Sequence, residues 1–91
     1  MRVAAMEDYQ VIEGLTAEGL SFELRAYFDQ RGECERMAGW YYARDSVDDT
    51  GALVREHFDL PAKGFRDLPH VIEEGIQIHG YRRVKLRGVG A

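Results

Sequence analysis

The sequence predicts an α+β protein in which a small antiparallel sheet of three to four strands carries two helices packed on one face. Three observations predict it. In residues 20–29, apolar Leu20, Phe22, Leu24, Ala26 and Phe28 alternate with Ser21, Glu23, Arg25, Tyr27 and Asp29. That is the period of a strand with one buried and one wet face. Glycine-bearing clusters at 16–19 and 30–33 bracket the run and read as turns. Two later stretches, 52–58 and 67–80, show helical spacing behind residues that favour helix starts.

Taken in order, residues 9–15 (YQVIEGL) form a short strand that pairs antiparallel with 20–29. The turn between them is Thr16-Ala17-Glu18-Gly19, in which Gly19 can adopt positive φ. Residues 34–44 fit two periods. As a helix, Cys34, Met37, Ala38, Tyr41 and Tyr42 make one stripe. As a strand, the aromatic run from Gly39 to Ala43 suits a pleated surface, and Gly39 costs about 1 kcal/mol in a helix. Propensity favours the strand. Residues 45–50 are dense in capping types, so Ala52, Leu53, Val54, His57 and Phe58 read as a first helix, ended by Pro61 and Gly64. A second helix opens at Asp67-Leu68-Pro69, with Asp67 as the cap. Its stripe is Val71, Ile72, Ile76 and His79, and Gly80 ends it. Residues 81–87 alternate again and read as a charged edge strand.

At 91 residues, one hydrophobic core and a single domain over 1–91 are expected. No run of 18 apolar residues occurs, so no membrane span is expected. The acidic turn at Glu7-Asp8 interrupts any signal-peptide pattern, which makes a cytoplasmic location the expectation. A single cysteine excludes an intramolecular disulfide and a zinc ribbon of paired CxxC motifs. The net charge of −4 is unevenly spread. Residues 1–59 hold thirteen acids and six arginines, whereas 60–91 hold three acids and six bases.

No catalytic constellation emerges. Cys34 stands between Glu33 and Glu35, whose charges oppose a reactive thiolate. Ser21 and Ser46 lie in no nucleophile-elbow motif, and no phosphate-binding glycine pattern is present. Asp67, His70 and Glu74 share a helical face and make a candidate metal site. An ordinary His70–Glu74 pair explains the same spacing, so no metal and no cofactor are expected.

The aromatic and arginine residues offer more. If 20–29 pairs with the next strand, Tyr27 and Arg25 stand on the wet face. Whichever of Trp40 and Tyr41 points outward joins them, flanked by Arg44. A ring as large as Trp40 is more often a core residue. Exposed Trp, Tyr and Arg anchor protein interfaces. The expected function is therefore a non-enzymatic protein-binding module, a small regulator, inhibitor or accessory subunit. Interleaved Glu23, Asp29 and Asp45 disfavour phosphates on this face. The alternative is a nucleic-acid-associated protein contacting its ligand through Arg82, Arg83, Lys85 and Arg87. A third reading is a metal-dependent enzyme at Asp67, His70 and Glu74. Complementary charged halves also make a homodimer an expectation.

Overall fold

The computed structural model describes residues 8–61 and 66–80. Four strands follow one another as an antiparallel meander: β1 (Asp8–Leu15), β2 (Ser21–Phe28), β3 (Cys34–Val47) and β4 (Leu53–Pro61). One helix, α1 (His70–Ile78), completes the described fold. The α+β class and the small antiparallel sheet stand, with one helix among the described residues where two were expected.

The register assigns every side chain to a face. Ile12, Leu24, Gly39 and Phe58 lie abreast across β1 to β4, and Ala26, Met37 and Leu60 form the next row. Phe22, Leu24, Ala26, Phe28 and Met37 are buried on this side. The alternation read in β2 is thus the core itself. Leu20, in the turn, is half-buried rather than a full member. Leu68, Ile72 and Ile76 cover the same face from above, and Ile72 and Ile76 are completely enclosed. Full burial of side chains this size contributes about 1.5–3 kcal/mol each.

All three hairpins use one device. Thr16, Asp29 and Asp48 each stand three residues before a glycine with φ between +81° and +84°. In each, the side-chain oxygen of the first residue accepts two backbone N–H groups. Its own N–H donates across the loop to the residue after the glycine. Such a turn followed by a left-handed residue matches the twist of the flanking strands.

This device explains the main correction. The capping residues at 45–50 do not open a helix: Asp48 Oδ1 accepts from Thr50 N–H at 2.8 Å and from Ala52 N–H at 3.1 Å, closing the β3–β4 hairpin. Residues 52–58, expected as a helix, therefore lead into and form β4. Cys34–Arg44 is strand, as propensity favoured, and continues to Val47.

Helix α1 begins at Pro69, not Asp67. Pro69 occupies the N-cap with no side-chain bond, and its carbonyl accepts from Ile72 and Glu73 N–H. Its fixed φ of −53° suits that position. His79 is exposed and caps the C-terminus, followed by Gly80 at φ +78°. The helix is joined to the first hairpin, where Ala17 N–H donates to Val71 O at 2.8 Å. Gly75 lets the two backbones touch, since a Cβ there would overlap Leu15 O and Thr16. The edge strand expected at 81–87 lies outside the described residues.

Candidate functional site

α1 packs on one face of the sheet, and the described residues place no element over the other. The register places Tyr9, Val11 and Glu13 of β1 beside Tyr27, Arg25 and Glu23 of β2. Next come Arg36, Ala38, Trp40 and Tyr42 of β3, then Asp59, His57 and Arg55 of β4. Strand pleating alone puts these residues on one side.

Arginines lie over the rings. Arg36 sits 4.2 Å from the Tyr27 ring centre, and Arg55 sits 3.9 Å from that of Trp40. Tyr9 and Tyr27 meet at 5.3 Å with their rings tilted by 40°, Trp40 and Tyr42 edge-on at 5.8 Å. Arg55 Nε also donates to the Tyr42 hydroxyl at 3.2 Å. Two acids on this face are paired: Arg25 Nε meets Glu23 Oε2 at 2.7 Å, and Arg36 meets Asp59 at 3.2 Å. The Tyr27 hydroxyl first, then the Glu23 carboxylate, push the Arg25 guanidinium above its ordinary pKa.

Between the two ring clusters lies an open depression of about 490 Å³ with Ala38 on its floor. In register, Ala38 is flanked by Arg25 and Asp59, and Trp40 by Glu23 and His57. A small residue ringed by long ones leaves the hollow. Tyr27, Trp40 and Arg25 all line it.

Three of the five sequence-derived residues thus come together: Arg25, Tyr27 and Trp40. Trp40 is half-buried on the open face beneath Arg55, not in the core. Tyr41 takes the opposite side, its ring 6.1 Å from Phe58 and packed on the core. Burial, then the charges of Glu56, Asp45 and Glu18, raise the Tyr41 hydroxyl above the usual tyrosine range. Arg44 does not line the depression; it lies beyond the last β2–β3 pair, its N–H donating to Glu18 Oε1. Sequence reasoning missed Tyr9, Arg36, Arg55 and His57. Extending the alternation of Trp40 along β3 identifies Arg36 and Tyr42, whereas Arg55 and His57 were hidden by the helical reading of 52–58.

The other candidates do not assemble. His70 Nε2 lies 3.1 Å from Glu74 Oε1 on the exposed side of α1, an ordinary pair. Among the described residues no three His, Cys, Asp or Glu side chains converge to hold a metal. Cys34 packs on the core side, donating its thiol to Arg36 O at 3.5 Å, whereas His57 is on the open face. Burial, with Glu35 and Asp29 nearby, pushes the Cys34 thiol up. Arg82, Arg83, Lys85 and Arg87 lie outside the described residues. No described helix is long and apolar enough to cross a membrane. Comparison of the chain with protein families, with curated proteins and with solved structures finds no match in any of the three.

Proposed function

We propose that the protein is a non-enzymatic binding module whose open sheet face receives a partner protein. One observation carries this reading: Tyr27, Trp40 and Arg25 surround a single depression on the face that α1 leaves uncovered. Rings held by arginines are presented in fixed positions, so little side-chain entropy remains to be lost on docking.

The chemistry of the face selects the partner. Arg25, Arg36 and Arg55 alternate with Glu13, Glu23 and Asp59, so the surface has no excess of positive charge for a polyanion. The Ala38 floor fits an apolar side chain, and Arg25 at the rim can donate to a backbone carbonyl or a carboxylate beside it. A protein segment supplies that combination.

The test uses peptides. A displayed random peptide library is selected on the intact protein, and Trp40, the only tryptophan, reports binding through its emission. Tyr27→Ala should weaken selected peptides at least tenfold while keeping folding stability within about 1 kcal/mol. Binders that ignore Tyr27→Ala and leave Trp40 emission unchanged would place the site elsewhere. Binding that collapses steeply with salt would instead support a polyanion ligand.

A further inference from the structure

The described sheet ends at β1 on one side and β4 on the other. An edge strand offers unpaired N–H and C=O groups to any strand that can align with it. Proteins usually blunt such an edge with like charges. β1 does so: in DYQVIEGL the only charges are acidic, so two copies would repel. β4 does not. Its sequence LVREHFDLP carries both signs, and Leu53 and Val54 are exposed.

A twofold dimer requires a self-complementary patch, because each residue i that meets j is matched by j meeting i. Two β4 strands can pair antiparallel about several centres, and the charges discriminate among them. Centring on Arg55, Glu56 or Asp59 sets like charges opposite one another, which is destabilising in directly facing pairs. Centring on Phe58 brings Arg55 opposite Pro61. Only centring on His57 sets Arg55 of each copy against Asp59 of the other. The same register sets Val54 against Leu60, with Glu56 opposite Phe58.

Arg55 is suited to this role. It rests on Trp40 and Tyr42, on the same face as Asp59, and among the described residues its partners are rings and a hydroxyl, not a carboxylate. Asp59 remains more than half exposed despite Arg36, leaving an oxygen for a second guanidinium.

We propose that the protein forms a twofold homodimer through antiparallel β4–β4 pairing centred on His57, fastened by two reciprocal Arg55–Asp59 pairs. The two sheets join into one of eight strands, with both open faces on the same side. A pairing over nine residues is small, so the dimer dissociates in about the micromolar range.

Charge exchange tests the proposal. Arg55→Glu alone opposes Glu to Asp59 twice, and Asp59→Arg alone opposes Arg to Arg55 twice. Each variant, its fold checked by circular dichroism, should lose at least tenfold in self-association. Mixed together, the two variants present only opposite pairs, so a heterodimer should return. Sedimentation should then report twice the 10.4 kDa chain mass for wild type and for the mixture. A wild type that stays monomeric up to millimolar concentration overturns the proposal. So do single variants that dimerise like wild type, or a mixture of folded variants that stays monomeric. The readout needs no partner protein, so failure here and failure of the protein-binding reading are separate results.

Discussion

Gly75→Ala sets two physical effects against each other at one atom. Glycine in a helix interior costs about 1 kcal/mol relative to alanine, so helix propensity alone expects a stabilised variant. Packing expects the reverse. A Cβ on Gly75 would overlap Leu15 O and lie 2.7 Å from Thr16 Cα and 2.8 Å from Thr16 C. Carbon atoms pack at about 3.5–4.0 Å, so α1 must lift from the first hairpin by about 1 Å. A gap of that size removes roughly a quarter to a half of each dispersion contact across it. The contacts at stake belong to Ile72 and Ile76, which are 0% and 1% exposed. At about 1.5–3 kcal/mol per buried side chain, the lift costs about 1–3 kcal/mol.

The hydrogen bond from Ala17 N–H to Val71 O also spans the contact, and distorting it costs about 1 kcal/mol more. After the propensity gain, the net loss is about 1–3 kcal/mol. For a domain of this size, a loss near 2 kcal/mol lowers Tm by about 8–16 °C. Urea titration followed by Trp40 emission and helical ellipticity measures it, with exposed Gln77→Ala as the control on the same helix. A Gly75→Ala midpoint at or above wild type, with unchanged slope, would refute the close backbone approach and with it the seating of α1.

Leu24→Ala should cost about 2–5 kcal/mol in the same titration, because Leu24 is 1% exposed at the centre of the core; a loss below about 0.5 kcal/mol would contradict that position. Bonds from Thr50, first its hydroxyl and then its N–H, together with Ala52 N–H, lower the Asp48 carboxyl below its ordinary value. A depressed carboxyl contributes stability above its unfolded pKa of about 3.9 and loses it as pH falls through the lower folded value. The Thr50 and Ala52 amide signals should therefore move only below about pH 4 in an NMR titration, and Asp48→Asn should abolish that movement. Burial raises the Cys34 thiol, so alkylation by iodoacetamide at pH 8 should run slower than for a free cysteine; an equal rate would place the thiol in solvent.

The fold was legible wherever a strand had one buried and one wet side. β2 lies between two strands with α1 above it, so its buried residues alternate without a break in the sequence. β4 sits at an edge of the described sheet, and its start, Leu53–Arg55, lies opposite the part of β3 that runs past the last β2–β3 pair; its first five residues are all exposed. Its period-two signal is thereby erased, and the chance spacing of Leu53, Val54, His57 and Phe58 resembles a helix. The decisive signal was local. Asp48-Asp49-Thr50-Gly51 repeats the pattern of Asp29-Gln30-Arg31-Gly32, and an acid three residues before a glycine specifies the same hairpin in both places. Capping residues bond N–H groups of a turn as readily as those of a helix start, and the glycine at positive φ distinguishes the two.

The candidate site follows the same division. Arg25 and Tyr27 were legible because β2 was, and their face is dictated by Phe22, Leu24, Ala26 and Phe28 pointing the other way. The choice between Trp40 and Tyr41 was not, because composition says only that one ring must face out. Register settles it through Gly39. A Cβ at that position would collide with Glu23 O, so the β2 backbone leaves no room for a side chain there, on the core side beside Leu24 and Phe58. Gly39 on the core side forces Trp40 outward and Tyr41 inward. The residue that weighed against a helix in the sequence is therefore also the one that orients the tryptophan. Arg55 then covers the ring that this orientation exposes and holds Trp40 in place at the wall of the depression.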